Sequence, residues 1–429
     1  MVSTPFALCK HRLSFHVTGV ELNHGLHLAY CTNIHRGETW RETLESLNKS
    51  ALAVRERVCP AEPFAIGLRL SRQAALELSD PKALVEFQRW LENNACYVFT
   101  INGFPYGRFH GTRVKEQVYA PDWTSPDRLA YTNLLFDLLA EILPPGIQGS
   151  VSTLPGSFKE FVAASRQSAA NPNEHKRAAL CRDAATEIRD NLWRSVEHIA
   201  RVSEKSKRQL HLGLEPEPLG LLENSQETIA FFNQLRDEHQ KDPRLDEFLG
   251  VNYDTCHFAI EFEEPRPAIT ALKKAGIKIS KLHLSSALKT RPTPEARAAL
   301  KHFADDVYLH QVIARDENGT LKRHRDLPDA LAAENSQLST LNSQLAEEWR
   351  IHFHVPLHAP AVKPFENTND HLLGVLDLLA ENPQLCSHLE METYTWEVLP
   401  PELKSRSVVE QLVSEYDWTL ARLKERGLA

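Results

Sequence analysis

Short apolar runs alternate with amphipathic stretches along almost the whole chain, and this alternation constrains the fold more than any other feature. The first unit joins Leu26-His27-Leu28-Ala29-Tyr30-Cys31-Thr32-Asn33 to a stripe of Trp40, Leu44, Leu47, Ala51 and Val54. Steps of three and four residues put such a stripe on one helical face. Phe64 to Leu70 reads as a second strand, followed by helical segments opened by Ser71 or Asp80-Pro81 and running to about Asn93. Tyr97 to Gly103 and Ile147 to Thr153 are the third and fourth strands. Between them a polar excursion, Tyr106 to Pro126, ends where Ser125-Pro126 starts a helix striped by Tyr131, Leu134, Leu135, Leu138 and Ile142. A helical stretch carrying Ile188, Leu192, Val196 and Ile199 on one face leads to a fifth strand, His211 to Pro218, after which Ser225 is expected to cap a helix. Phe248 to Asp254, Ile277 to Leu284 and Leu389 to Thr395 are the sixth to eighth strands, and Val409, Leu412, Val413, Tyr416, Leu420 and Leu423 stripe the last helix. Parallel strands need helical crossovers, so eight strand-helix units predict a closed (β/α)8 barrel of the α/β class.

Such barrels carry their functional groups at the C-terminal ends of the strands. Four strands end in metal-ligand chemistry: Leu214-Glu215-Pro216-Glu217, Asn252-Tyr253-Asp254-Thr255-Cys256-His257, Lys281-Leu282-His283-Leu284 and Leu389-Glu390-Met391-Glu392. Carboxylates beside an imidazole suit Mn²⁺, Zn²⁺, Co²⁺ or Fe²⁺, and these four tips are expected to converge on one ion. Each residue also has a plainer reading. Asp254 would serve as a helix N-cap, Glu215 as a cap or half of a buried pair, His283 as a satisfied core imidazole and Cys256 as a small buried hydrophobe. Residues two apart on a strand share a face, so parity separates neither Glu215 from Glu217 nor Glu392 from Glu390; depth favours the residue nearer the tip, Glu392 in one pair and in the other Glu217, a rival to Glu215.

The stretch between the seventh and eighth strands is too long for one crossover. Val307 to Ile313, Leu321 to His324 and Trp349 to Pro356 read as extra strands, forming an inserted subdomain over residues 288–356 that lies across the barrel mouth. His352 and His354 share one face of their strand and would make a second metal site or take the place of His283. Asn-Ser-Gln-Leu occurs at 335–338 and again at 342–345, a low-complexity feature whose deletion (Glu334 to Leu345) should leave folding intact. Residues 1–25 read as a leader, with a candidate strand from His11 to Val20, and 26–429 as the barrel.

Composition narrows the function. A formal net charge of -8 without a basic run argues against a phosphate-backbone binder, so no nucleic-acid partner is expected. The seven Cys, odd in number and without CxxC spacing, read as reduced, buried thiols of a cytoplasmic protein. Neither a signal peptide nor a membrane span is expected.

Six segments together carry a resemblance: Tyr30-Cys31-Thr32-Asn33-Ile34-His35-Arg36-Gly37-Glu38-Thr39-Trp40, Asn102-Gly103-Phe104-Pro105-Tyr106-Gly107, Leu214-Glu215-Pro216-Glu217-Pro218, Asp254-Thr255-Cys256-His257, His352-Phe353-His354-Val355-Pro356 and Glu392-Thr393-Tyr394-Thr395-Trp396. Over residues 26 to 425 the chain resembles the EboE metabolite traffic family of the xylose-isomerase-like sugar phosphate isomerase/epimerase superfamily. The resemblance implies a TIM barrel of that type, here with an insertion between strands seven and eight. It implies one divalent ion (Mn, Zn, Co, Fe or Mg) held by Glu215, Asp254, His283 and Glu392, with Glu215 and Glu392 moving a proton. It implies a small metabolite as substrate and, as partners, proteins of the same gene cluster. His257 is implied as a substrate-facing or supporting group, and Asn33 and Asn102 as polar residues of the mouth. By its residues, the Tyr106 to Lys115 segment, with Arg108, His110, Arg113 and Lys115, reads either as a lid over an anionic substrate or as a solvated loop, and His354 would face the same ligand. The loop Ser285-Ser286-Ala287 departs from the superfamily pattern, which leaves sugar specificity open. A metal-dependent isomerase- or epimerase-like enzyme is thus the expected function. A non-catalytic metabolite carrier is the alternative, and an endonuclease-IV-like phosphodiesterase is disfavoured by the acidic balance.

Overall fold

A computed structural model describes residues 22–169, 183–335, 348–399, 404 and 406–429. Eight strands close into a parallel barrel: β1 (His27–Cys31), β2 (Phe64–Arg69), β3 (Cys96–Asn102), β4 (Gly149–Thr153), β5 (Leu210–Leu214), β6 (Leu249–Asp254), β7 (Lys278–Leu284) and β13 (His388–Met391). Neighbours follow chain order except at the seam, where β13 lies between β7 and β1. The alternation of strand and helix seen in the sequence is therefore the alternation of a (β/α)8 barrel, with an extra sheet between its last two strands.

Local chemistry sets the element ends. Ser71 caps Arg72–Leu78 and Asp80 caps Pro81–Asn93, so both proposed starts are used, with Pro81 at the first position where its missing N–H costs nothing. Ser125 and Pro126 open Pro126–Ile142 in the same way. Thr39 with Glu42, and Ser407 with Glu410, close reciprocal capping boxes on the first and last helices. One cap differs from expectation. Asn224, not Ser225, caps Ser225–Glu238 by accepting from the Glu227 amide, while Ser225 bonds to Glu263. The fifth and eighth strands are shorter than their apolar runs. Pro216 and Pro218 have no amide proton for a ladder and stop β5, and Glu392 to Thr395 turn away after β13.

The insertion forms an antiparallel five-stranded sheet in the order β10-β9-β11-β8-β12, built from β8 (Ala287–Thr290), β9 (Val312–Arg315), β10 (Leu321–His324), β11 (Glu348–His354) and β12 (Phe365–Asn367). It begins directly after β7 and reaches past residue 356, so it takes in β8 and β12 as well as the foreseen strands at 321–324 and 349–354; the first foreseen strand, Val307 to Ile313, is displaced, and β9 starts only at Val312. It has its own apolar core, including Phe303, Val312, Trp349, Ile351 and Phe353. The repeated Asn-Ser-Gln-Leu and the leader strand lie outside the described residues. Cys31, Cys59, Cys96, Cys256 and Cys386 are buried and not in disulfides. Among the described residues no helix is long and apolar enough to cross a membrane.

Barrel interiors of this kind are filled by side chains in layers. Here the layers are polar. At the N-terminal end His388 meets Ser150 Oγ at 2.9 Å, and His211 meets Ser280 Oγ at 2.6 Å. Above them Lys281 Nζ donates to Glu390 Oε2 and to Asn102 Oδ1, each at 2.6 Å, and Asn102 Nδ2 donates to Glu390 Oε1 at 2.7 Å. Gly67 makes room for this layer. A Cβ at that position would come within 1.8 Å of Glu390 Oε1.

Candidate metal centre

The top layer gathers the four strand tips. Glu215 and Glu392 each lie one residue beyond a strand, yet their amides still join the ladder, donating to Thr153 O and Leu284 O at 3.0 Å. The rigid barrel wall thereby aims both carboxylates. Asp254 ends β6, and His283, near the end of β7, is its direct register partner across the ladder. Donor atoms of Glu215, Asp254, His283 and Glu392 all fall within 4.8 Å of one another, and all four residues are buried.

The geometry around His283 is specific. Its Nδ1 lies 3.1 Å from Glu215 Oε1, 3.1 Å from Glu392 Oε2 and 3.5 Å from Asp254 Oδ2. Each glutamate has its other oxygen held by an amide: Asn252 Nδ2 donates to Glu215 Oε2 at 2.8 Å, and Asn33 Nδ2 to Glu392 Oε1 at 2.6 Å. On the far edge of the ring, Nε2 faces Glu390 Oε2 at 3.1 Å. A carboxylate on one ring nitrogen fixes the tautomer that leaves the other nitrogen for a cation. Glu390 is thus the orienting carboxylate below His283, tied to Lys281, and Glu392 is the member of the upper cluster.

The charges agree with this layout. Burial disfavours charge on His283, but Glu392, Glu215 and Asp254 around it raise its imidazole well above the ordinary value. Burial likewise opposes ionisation of Asp254, and His257 and His283 hold it well below the usual carboxylate range regardless. Burial would raise Glu390 too, yet Lys281 and His283 bring it down to about 2. The pocket therefore concentrates negative charge and draws a proton onto the imidazole at its centre. The fit to a cation rests on the donors. Asp254 Oδ2 is buried and without a hydrogen-bond partner, while Oδ1 is saturated by the amides of Cys256 (2.7 Å) and His257 (3.2 Å) and by Ser285 Oγ (2.5 Å). Three carboxylates and one imidazole match a hard or borderline divalent ion.

A cavity of about 60 Å³ opens over this cluster. Its walls include Asn33, Asn102, Glu215, Glu217, His257, His283, His352 and Glu392. Volume of that size holds roughly four waters. Phe109, Tyr308 and Tyr394 cap it, with ring centroids 5.3 Å apart in every pairing. His257 reaches the cavity from the first turn of Thr255–Ile260, its Nδ1 3.1 Å from Pro216 O. Burial disfavours charge on it, but Asp254 and Glu217 outweigh that and raise its imidazole. Burial also pushes the Glu217 carboxyl up to about 8.

Several expected roles shift. His110 belongs to the wall and not to the cavity surface: its Nε2 meets Asn33 O at 2.6 Å and its Nδ1 meets the Tyr308 hydroxyl. Its ring thus buttresses Asn33. His354 likewise is outside the lining, with Nδ1 2.9 Å from Glu392 O. Asn102 reaches the cavity floor but spends its amide on Glu390 and Lys281. The Tyr106 to Lys115 segment is tethered and not a free lid: the amides of Val114 and Lys115 both donate to Val307 O at 2.9 Å, and Lys115 Nζ is 2.7 Å from Asp326 Oδ2. Arg108 and Arg113 point to solvent. Sequence reasoning missed Lys281, Asn252, Gln311, Tyr308 and Tyr394. For Lys281 a signal was present, a lysine inside an apolar strand, where an unpaired ammonium is costly. The rest are brought in by pairing across the fold.

No family model matches the chain, and no curated protein matches it in sequence. Solved structures do resemble it in shape. A xylose isomerase-like TIM barrel protein from Mycobacterium smegmatis in complex with magnesium aligns at 13% identity and a TM-score of 0.48, covering 95% of this chain and 99% of that one. The probable 3-DHS dehydratase AsbF of Bacillus anthracis, involved in petrobactin synthesis, aligns at 11% identity and a TM-score of 0.45, covering 92% and 99%. The IOLI protein with a bound zinc atom aligns at 11% identity and a TM-score of 0.43, covering 93% and 98%. The barrel assignment itself rests on the strand pairing described above.

Proposed function

We propose that this protein binds one divalent cation (Mn, Zn, Co, Fe or Mg) through Glu215, Asp254, His283 and Glu392 and works as an isomerase- or epimerase-like enzyme on a small hydroxy-carbonyl metabolite. The observation that carries the reading is the convergence of these four buried groups beneath one cavity, with Asp254 Oδ2 unpartnered. A cation bound there would act as a Lewis acid on a substrate carbonyl. Glu215 and Glu392 arrive from strands on either side of β7 and flank the space above His283, so they are the groups to take a proton from one carbon and return it to the next. Asn252 and Asn33 keep each carboxylate from rotating away. The Phe109–Tyr308–Tyr394 cap excludes bulk water, which strengthens every charge interaction beneath it. The six motifs shared with the EboE family support a place in the handling of a secondary-metabolite precursor.

Two measurements test this. Elemental analysis of the purified protein should show a divalent metal that a Glu215→Ala, Asp254→Ala double variant lacks; equal content in both removes the site. Incubation of metal-loaded protein with ketoses and hydroxy-ketones in D₂O should introduce deuterium next to the carbonyl. Ligand binding without exchange would assign the protein to metabolite carriage.

A further inference from the structure

Beside the carboxylate cluster stands a second group of donors that the reading above does not use. The inserted strand β11 brings His352 to face His257, Nε2 to Nε2 at 3.0 Å. Their tautomers follow from their other nitrogens. His257 Nδ1 meets Pro216 O, a carbonyl that only accepts, so Nδ1 carries the proton. His352 Nδ1 lies 2.7 Å from Gln311 Oε1, and the Gln311 amide is fixed the same way round because its Nε2 donates to Pro218 O at 3.0 Å. Nδ1 of His352 is therefore also protonated. Two neutral imidazoles with these tautomers point lone pairs at each other; the Tyr394 hydroxyl, 3.5 Å from His352 Nε2, reaches one of them only at the limit of a hydrogen bond, so the facing pair favours something positive between the rings. Glu217 completes the group: its donor atom lies within 4.8 Å of both imidazoles, and its Oε1 is buried and makes no hydrogen bond of ordinary geometry, the Tyr119 hydroxyl being the polar group beside this carboxyl. A single shared proton would satisfy the two rings and leave Glu217 Oε1 unpaired. A divalent ion would satisfy all three. Carbonyl acceptors on the outer nitrogens of both rings are the support that metal-bound histidines usually have.

We propose that Glu217, His257 and His352 form a second metal site, a three-ligand centre open to the same cavity as the first. Two imidazoles and one carboxylate with a vacant fourth position are the donor set of zinc sites that exchange water or substrate. Neutral nitrogen donors select Zn²⁺ or Co²⁺ over Mg²⁺. Glu217, His257 and His352 all line the cavity wall, so this ion would meet the same ligand as the carboxylate-bound one. The site is supplied jointly by the barrel and the inserted sheet: β11 provides His352, and the chain just before β9 provides Gln311, which orients it. Nothing in this assignment depends on which reaction the first site performs.

The test is stoichiometry on the full chain, stripped of metal and reloaded with Zn²⁺ or with Mg²⁺ alone. Wild type should hold two Zn²⁺ per chain but no more than one Mg²⁺. His352→Ala should hold one Zn²⁺, and a Glu215→Gln, Glu392→Gln variant should also hold one, retained on the histidines. Loading the latter with Co²⁺ should give the intense visible absorption of a low-coordinate nitrogen-ligated site. Two Zn²⁺ in His352→Ala, or a single Zn²⁺ in wild type that His352→Ala retains, would overturn the proposal. Should His352→Ala fail to fold, Glu217→Gln, which keeps the shape and removes the charge, is read in its place with the same expectation. A single Zn²⁺ in wild type that His352→Ala loses and the Glu215→Gln, Glu392→Gln variant keeps would count against the first site and leave this one standing.

Discussion

Asp254 settles at the level of single atoms a choice that its position in the sequence leaves open, between helix cap and metal ligand. Its two oxygens divide the roles: one is used by the cap, and the other is left for the proposed ion. Oδ1 caps Thr255–Ile260, and Oδ2 looks into the carboxylate cluster. The two roles separate by substitution. Asp254→Asn keeps a capping oxygen, so its melting temperature should stay near wild type while its metal content falls. Asp254→Ala should lose the metal and about 1–2 kcal/mol of stability besides. Full metal retention in Asp254→Asn would deny the ligand role. Glu415 offers a second single-residue test. It lies buried in the last helix, with Oε1 accepting from Thr393 Oγ1 at 2.9 Å and from the Leu357 amide at 3.1 Å, and Oε2 unpartnered. Burial pushes its carboxyl from 4.5 up to about 7. Because the folded protein binds this proton more tightly than the unfolded chain, the linked stability is complete below pH 4.5 and declines as pH rises through 7. The loss is on the order of 3 kcal/mol. Glu415→Gln should flatten that decline, so comparing urea midpoints at pH 5 and pH 8 checks it.

Among the elements, the least expected dependence joins β2 to β13. Gly67 has no side chain because Glu390 fills its place, and Glu390 in turn sets the ring of His283. A methyl group at Gly67 meets Glu390 Oε1 at 1.8 Å and its carboxyl carbon at 2.5 Å, inside a barrel wall that cannot yield. Gly67→Ala should therefore cost about 1–3 kcal/mol in overpacking. By displacing the carboxylate behind the histidine proposed to bind metal, it should also weaken metal affinity by roughly 10–100-fold. Calorimetric titration of the variant reads the second effect separately from the first, and unchanged affinity would break the proposed chain from Gly67 through Glu390 to His283.

For the molecule as a whole, the cavity is a product of two layers. The barrel supplies floor and carboxylates, and the inserted sheet with its flanking segments supplies Tyr308, Gln311 and His352 as roof. Room for only a few waters beneath Phe109, Tyr308 and Tyr394 makes this aromatic cap the expected entrance for a metabolite. Phe109 is the member of that cap with no hydrogen bond of its side chain to lose, and it also covers the Arg69 guanidinium at 5.4 Å. Phe109→Ala should let EDTA strip the bound metal faster than from wild type. An unchanged stripping rate would place the entrance elsewhere.

The division between sequence and tertiary structure follows the range of the interactions. Strand-helix alternation, the caps at Ser71, Asp80, Ser125 and Ser407, and the polar tips at Glu215, Asp254, His283 and Glu392 are local patterns, and in a parallel barrel local patterns suffice to say which end of each strand is which. Parity could not part Glu390 from Glu392 or Glu215 from Glu217, because alternate residues on a strand face the same way. Depth in the closed barrel parted them. Glu390 meets Lys281 one layer down, and Glu217 turns to His257 and His352 one step out. Those pairings join residues between 40 and 135 positions apart, brought together by closure of the barrel and by the sheet laid across it, and no window of sequence contains them.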